Sequence, residues 1–385
     1  MTPREKININ SKRRFRVLIA PLDWGLGHTT RCLPIIKVFQ RMGAEIVVAC
    51  NENQAHLLLR EIPGLQVTHI NGYGLNYSRS KWMMWIRIIF QIPKILIAIK
   101  REKSWLISFL KGEGFDLILS DNRFGLRHPS VYSIFLTHQL RIRVPVSSWL
   151  ENQLQKLNYR FINLFNECWI PDFEGNPNLA GELSHPRQLP QPKLRYLGAL
   201  SRFAEKNLLN EGHPELAILI SGPEPQRTIF ENLLINELMD FNGTAVVVRG
   251  LPTESRNKEG FRNISFFNHL AAAELNELLG NCKFVICRSG YTSIMDIIAL
   301  RKKSILIPTP GQTEQEYLAN YLMEKNWCIN FHQKNFSLQK ALAYAQDFAY
   351  ADLHQFKMDQ FEIVIQDFMQ EQFKEILQPD ASREN

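Results

Sequence analysis

The sequence has no Cys-x-x-Cys pair. Its six cysteines (Cys32, Cys50, Cys168, Cys282, Cys287, Cys328) are scattered through 385 residues, which argues against a zinc ribbon or a disulfide scaffold and fits a reducing compartment. The start, Met1 to Arg14, is polar and basic and lacks an apolar h-region, so no secretory signal is expected and the protein reads as cytosolic. No uninterrupted apolar stretch reaches the ~18–20 residues of a membrane span. The Walker spacing and its lysine are missing, which counts against an ATPase. Charge alone hints at nucleic acid, but no recognised binding motif or aromatic platform supports it. What is present is ordinary globular composition, with 45% apolar and 22% charged residues, enough to exclude disorder over most of the length. Lys plus Arg (45) exceed Asp plus Glu (38) by +7, an excess that favours phosphate-bearing partners or an anionic membrane surface.

Apolar runs of strand length alternate with helical patterns, the signature of a parallel α/β sheet. Strands are expected at 17–20, 45–49, 65–69, 117–119 and 134–137, with a helix at 52–60. After the loop-rich stretch 171–192, which holds five prolines, a second series begins. Its strands are expected at 216–220, 245–248, 284–287 and 305–307, and its helices at 226–238, 271–279, 293–300 and 314–325. The chain therefore reads as two α/β units, 14–198 and 199–377, the second including a terminal helix, with the boundary near 198–212 and a disordered tail at 378–385. Two such units leave a cleft between the carboxyl ends of their strands, where ligands of open α/β sheets bind.

One segment departs from the alternation. Residues 81–111 hold three Trp and seven Lys or Arg against one Glu. They read either as a basic amphipathic helix lying in lipid headgroups, or as a helical hairpin packed on the first sheet. Both can hold at once.

Four turns carry residues suited to chemistry. The first, Pro21 to Arg31, follows a strand with Gly25 and Gly27 and then opens a helix. It places His28 where an imidazole can accept a proton from an attacking hydroxyl; a tight turn with an incidental histidine is the alternative. The second, Leu119 to Leu126, brings Asp121 to a strand end, either to orient His28, to act as base itself, or merely to cap the loop. His138 and Gln139 follow the next strand and could meet an acceptor. In the third, Ser221 and Gly222 can present N–H groups to a diphosphate while Arg227 adds charge; a Pro-rich helix entry with a solvated arginine is the alternative. The fourth, Cys287 to Ile297 followed by Ile307 to Asn320, combines a small-residue turn, Asp296 able to chelate a ribose diol, and Gln312, Gln315 and Glu316 able to bond sugar hydroxyls. Otherwise Asp296 and Glu316 are solvated helix residues.

This fourth motif, with the preceding Phe266-Phe267-Asn268-His269, resembles the carboxyl domain of glycosyltransferase family 28, and the loop ending in His28 resembles that family's amino-terminal loop. The resemblance implies a GT-B fold: two Rossmann-like α/β domains facing across a cleft, a UDP-sugar held by the second and an acceptor met by the first. It implies inversion at the anomeric carbon without a catalytic metal or other cofactor. Carried onto this sequence, Phe267 lies by the uracil, Ser221, Gly222, Arg227, Arg288, Ser289 and Gly290 surround the diphosphate, and Ser293 belongs to the donor side. Asp296 takes the ribose, while Gln312, Gln315 and Glu316 reach the donor sugar. The acceptor side falls to Gly25, Gly27, His138 and Gln139. Glu316 stands where the family has a second Gln, and Asp23-Trp24 interrupt its glycine run, so the peptidoglycan reaction itself is not expected. The expectation is a UDP-sugar transferase with a lipid-linked or membrane acceptor, peripheral on the inner membrane face. The rivals are a UDP-sugar epimerase of the same fold and a non-catalytic sugar-nucleotide-binding subunit.

Overall fold

A computed structural model describes residues 14–73, 81–144, 147–205, 213–252, 254 and 256–377. The tail 378–385, residues 206–212 of the expected boundary and the side chains of 81–91 lie outside the described residues.

The first lobe runs β1 (Arg16–Pro21), α1 (Gly27–Arg41), β2 (Glu45–Cys50), α2 (Glu52–Glu61), β3 (Gln66–His69), α3 (Lys81–Leu110), β4 (Leu117–Asp121), β5 (Tyr132–Leu136), α4 (Ser148–Ile162), β6 (Glu167–Ile170) and β7 (Lys193–Tyr196). Its seven strands form one sheet in the order β3-β2-β1-β4-β5-β6-β7. The pairings are parallel, with Val17 beside Ile46 on one side and Leu117 on the other. The strands read as near-continuous apolar runs because helices cover both faces of such a sheet. On one face Leu18, Ala20 and Ile118 pack against Leu106 of α3; on the other Val17 and Ile19 pack with Leu33 and Ile36 of α1.

The second lobe follows with β8 (Leu216–Leu219), α5 (Gln226–Leu238), β9 (Ala245–Val248), β10 (Ile264–Phe267), α6 (Ala272–Asn281), β11 (Phe284–Cys287), α7 (Tyr291–Ala299), β12 (Ser304–Leu306), α8 (Thr313–Glu324), β13 (Ile329–Asn330), α9 (Leu338–Asp347) and α10 (Gln360–Leu377). Its sheet has the order β10-β9-β8-β11-β12-β13. In both sheets the strand order reverses at the middle, between β1 and β4 and between β8 and β11. These reversals are the topological switch points where α/β sheets bind ligands. All four motifs sit at the carboxyl ends of strands, each beginning at one of the four strands that flank a switch point.

Two expectations are corrected. The terminal helix α10, expected as part of the second unit, ends the second lobe in sequence but packs on the first. Phe368 meets Trp169 edge-on at 5.0 Å, Phe373 meets Phe15 at 4.8 Å, and Glu371 bonds both Lys193 and Arg195 at 2.9 Å. An aromatic face on α10 finds its complement on the first sheet, whichever lobe precedes it in sequence. The segment 81–111 is no hairpin. It is one helix of 30 residues continuing through Pro93, about 45 Å long at 1.5 Å per residue. Its second half packs on the sheet through Trp105, Leu106 and Phe109, while Leu96, Ile97 and Ile107 remain exposed. Among the described residues no helix is long and apolar enough to cross a membrane.

Candidate functional site

The turn after β1 brings the chain back into α1 within a few residues. Gly25 adopts φ +90°, a region closed to most side chains. α1 then starts with no side-chain cap, and His28 and Arg31 follow on one helical face, three residues apart. Asp121, the last residue of β4, points at both. Its Oδ1 lies 3.0 Å from His28 Nδ1, and Arg31 Nε donates to Oδ2 at 2.7 Å while Nη2 donates to Oδ1. Asp121 and Arg31 are buried. Burial alone would raise the Asp121 carboxyl, but Arg31 and then His28 outweigh it and hold it far below the usual range. Burial pulls His28 below its ordinary value of 6.5; Asp121 opposes this, and Arg31 adds to it. The imidazole is therefore neutral at pH 7, as a general base requires. His28 and Asp121, read separately from the sequence, come together as a hydrogen-bonded pair.

Arg31 had no role in the sequence reading. The available signal was its position one helical turn beyond His28. A second buried ion pair braces the same turn from behind. Arg123 donates to Pro21 O and to Glu102 Oε1, each at 2.9 Å, and Tyr73 donates to Glu102 Oε2 at 2.9 Å. Glu102 belongs to α3, so the long basic helix and the His28 turn share one polar support.

Across the cleft, α7 begins at Gly290 with no side-chain cap, leaving first-turn N–H groups without a side-chain partner. That end touches the first lobe. Thr292 Oγ1 donates to Gly27 O at 3.2 Å, and the Tyr291 hydroxyl donates to Pro171 O at 2.7 Å. Ser289, at the same turn, is fully buried and donates to Gln315 O at 2.8 Å. Ser293 lies in the first turn of α7, half-buried.

The remaining donor-side residues are placed as follows. Ser221 and exposed Gly222, at φ +105°, form the turn between β8 and α5. Phe267 ends β10, its carbonyl accepting from Arg249 N at 2.8 Å. Asp296 accepts from Ser201 Oγ at 2.6 Å, and burial raises its carboxyl to about 6 despite Arg202. Gln312 precedes α8 as its cap residue. Gln315 Oε1 and Glu316 Oε1 accept from Thr309 N (2.9 Å) and Gly311 N (3.0 Å), which closes the loop before α8.

Three side chains are engaged differently from expectation. Arg227 is bound by Glu224 at 2.6 Å and Glu231 at 2.8 Å, carboxylates one helical turn away. Arg288 donates to Ile307 O, Pro308 O and Gln226 O, lies 3.9 Å over the Phe230 ring, and is lowered to about 9 by burial. Neither guanidinium is a free charge, and Arg288 and Asp296 address different neighbours. His138, expected to meet the acceptor, is buried instead. Its Nδ1 lies 3.1 Å from Arg31 Nη1 and its Nε2 2.7 Å from Glu314 Oε1 of the other lobe. Gln139 next to it is half-buried, its N–H donating to Thr137 Oγ1 at 3.0 Å.

Comparison with known proteins fits this geometry. Residues 253–374, which hold the fourth motif and the Phe266-Phe267 stretch before it, match the model of the glycosyltransferase family 28 C-terminal domain, so the resemblance read from that motif stands. A relative from Prochlorococcus marinus, named a UDP-N-acetylglucosamine–N-acetylmuramyl-(pentapeptide) pyrophosphoryl-undecaprenol N-acetylglucosamine transferase, is 30% identical over 150 residues, 35% of this chain and 40% of the relative. The match thus spans less than half of that relative's length. Among solved structures, the glycosyltransferase of kitacinnamycin superposes with TM-score 0.61 at 13% identity, over 92% of this chain and 95% of that one. The MurG of Acinetobacter baumannii does so with TM-score 0.51 at 11% identity, over 93% of this chain and all of the other. At such identities these structures show the fold: two facing parallel-sheet lobes of GT-B type.

Proposed function

We propose that this chain is an inverting glycosyltransferase that moves a sugar from a UDP-sugar to a lipid-linked or membrane-associated acceptor, with no metal or other cofactor. One observation carries the reading. The uncapped N-terminus of α7 touches the very turn that bears His28, through Thr292 and Gly27. A helix end suited to an anion and a half-buried His28 on buried Asp121 thus confront each other across the junction of the two lobes.

In this reading the diphosphate sits against the N–H groups of the β8–α5 turn (Ser221, Gly222) and of the α7 start (Gly290 to Ser293). Asp296 takes the ribose by exchanging its bond to Ser201. Phe267 lies by the base, and Gln312, Gln315 and Glu316 face the sugar. Arg227 and Arg288 act by holding the two phosphate turns in shape. His28, with Asp121 keeping a proton on its Nδ1, removes the acceptor proton at Nε2 as the hydroxyl attacks the anomeric carbon. The departing UDP carries away the bond's electron pair, and preorganised helix-end dipoles stabilise the charge that develops on it. The acceptor enters over Gly25, Gly27 and Gln139.

The relative from Prochlorococcus uses a UDP-sugar and a lipid pyrophosphate by its name, which supports this donor and acceptor class. The exposed Leu96, Ile97 and Ile107 of the basic helix α3 support a peripheral position on the inner membrane face.

Calorimetry against UDP-, GDP- and TDP-sugars, then turnover with extracted lipids in the presence of a chelator, tests the proposal. Binding of a UDP-sugar, chelator-resistant transfer, and a loss of roughly 10²–10⁴ in turnover for His28→Ala are expected. Near-normal turnover of that variant removes His28 as base. Conversion of UDP-N-acetylglucosamine to an epimer without acceptor replaces transfer by epimerisation.

A further inference from the structure

The contact between His138 and Glu314 has no part in the chemistry above, yet it joins the two lobes at the base. Glu314 stands in the first turn of α8, and its Oε1 lies 2.7 Å from His138 Nε2. On the other side of the ring, Arg31 Nη1 lies 3.1 Å from Nδ1. A guanidinium can only donate, and an ionised carboxylate can only accept. Glu314 is ionised: burial would raise it, but His138 holds it below its usual value. A donor facing Nδ1 and an acceptor facing Nε2 place the His138 proton on Nε2. The ring also stacks on Tyr291, centroids 4.2 Å apart and planes within 4°. Both of its second-lobe contacts depart if the lobes separate.

Arg31 passes the constraint on. Its Nε and Nη2 are spent on Asp121, and Nη1 is fixed by His138. Nη2 also lies 2.8 Å from His28 Nδ1, which is itself 3.0 Å from Asp121 Oδ1. These two neighbours make opposite demands. The carboxylate requires a proton on Nδ1, whereas the guanidinium would require a lone pair there. Only the first leaves Nε2 free to accept a proton, so the setting of the guanidinium plane decides whether His28 can serve as base.

We propose that Glu314 and His138 are positioning residues that arm His28: the second lobe, through Glu314, His138 and Arg31, selects the His28 tautomer with a free Nε2 when the cleft is closed. This rests on the reading of His28 as the general base. With the lobes apart, His138 loses its acceptor and its stacking partner, Arg31 loses its third anchor, and Nη2 turns to donate to Nδ1. The base is then disarmed until a donor brings the lobes together.

The test uses the full chain with ¹⁵N-labelled histidine, comparing wild type with Glu314→Ala, Glu314→Gln, His138→Phe and the Glu314→Ala/His138→Phe double variant. Wild type should show His138 protonated on Nε2 and His28 on Nδ1. In Glu314→Ala and His138→Phe the His28 signal should move toward the Nε2–H form, with kcat for UDP release from UDP-N-acetylglucosamine in water down about tenfold and KM changed less than twofold. Glu314→Gln, which keeps an acceptor oxygen at a partly exposed position and so preserves the fold, should recover most of the loss. The double variant should be no worse than the weaker single, because one chain of contacts is broken in either case. An unchanged His28 signal in Glu314→Ala, or multiplicative losses in the double variant, would overturn the proposal. Failure of the functional reading looks different: wild type then releases no UDP, while the tautomer comparison still decides the link.

Discussion

Thr292 of α7 rests its hydroxyl on the carbonyl of Gly27 in the first turn of α1, 3.2 Å away. A Cβ built on Gly27 would stand 3.1 Å from Thr292 Oγ1, tighter than an ordinary contact. The helical backbone of Gly27 accepts alanine, so what an added methyl meets is the Thr292 hydroxyl, which must give by a few tenths of an ångström. Gly27→Ala should therefore push the lobes apart and lower kcat/KM about tenfold, the cost of one strained contact. Pairing it with Thr292→Ala should restore part of the loss, and steady-state kinetics on the three variants would show it.

Asp121 and His28 should separate stability from catalysis. Asp121→Ala leaves Arg31 buried without its counter-charge, which costs about 3–5 kcal/mol. His28→Ala leaves the Arg31–Asp121 pair intact and should cost far less, while abolishing most turnover. Denaturant unfolding of the two variants checks the order; equal destabilisation contradicts the placement of Arg31.

The pH dependence follows from the lowered His28 value. The base stays neutral down to a pH below 6.5, so turnover should be flat near neutrality and drop on acidification only beneath that point. Stability should move the same way. Between the folded value and 6.5 the unfolded chain binds more protons, so stability rises with pH through this window and is lost as pH falls. A pH–rate profile of wild type gives the acid limb directly, and a limb centred above 6.5 contradicts the lowered His28 value.

Asp296 has the opposite sign. Its carboxyl, raised to about 6 by burial, favours the protonated form when folded, so its penalty grows from about pH 4 to pH 6 and is complete above. Asp296→Asn keeps an acceptor for Ser201 and removes that penalty. The variant should melt higher than wild type at pH 7, with the advantage fading toward pH 4, and should bind UDP more weakly. Thermal scans at both pH values together with UDP calorimetry test the trade between stability and binding.

Much of the frame was legible in the chain. The strands at 245–248 and 284–287 and the helix at 226–238 fall where their apolar runs place them, because a buried parallel strand leaves a continuous hydrophobic signal bounded by turns. The stretch 171–192 read correctly as loop, but β7 directly after it has a mixed, half-buried face and gave no such signal. The destination of α10 was hidden for a different reason. Its aromatic face needs an apolar partner, and amphipathicity does not name which lobe supplies one.

By itself the sequence determined two doubly wound sheets, four ligand-bearing turns at strand ends, and a histidine at the mouth of one of them. These are local properties, written in apolar period and turn residues. What only the tertiary structure decided is who meets whom: Arg31 with Asp121 across 90 residues, His138 with Glu314 across 176, and two expected phosphate arginines bound instead by their own lobe. Charge states, tautomers and burial belong to such pairs, and a pair exists only once the chain has folded both partners into one place.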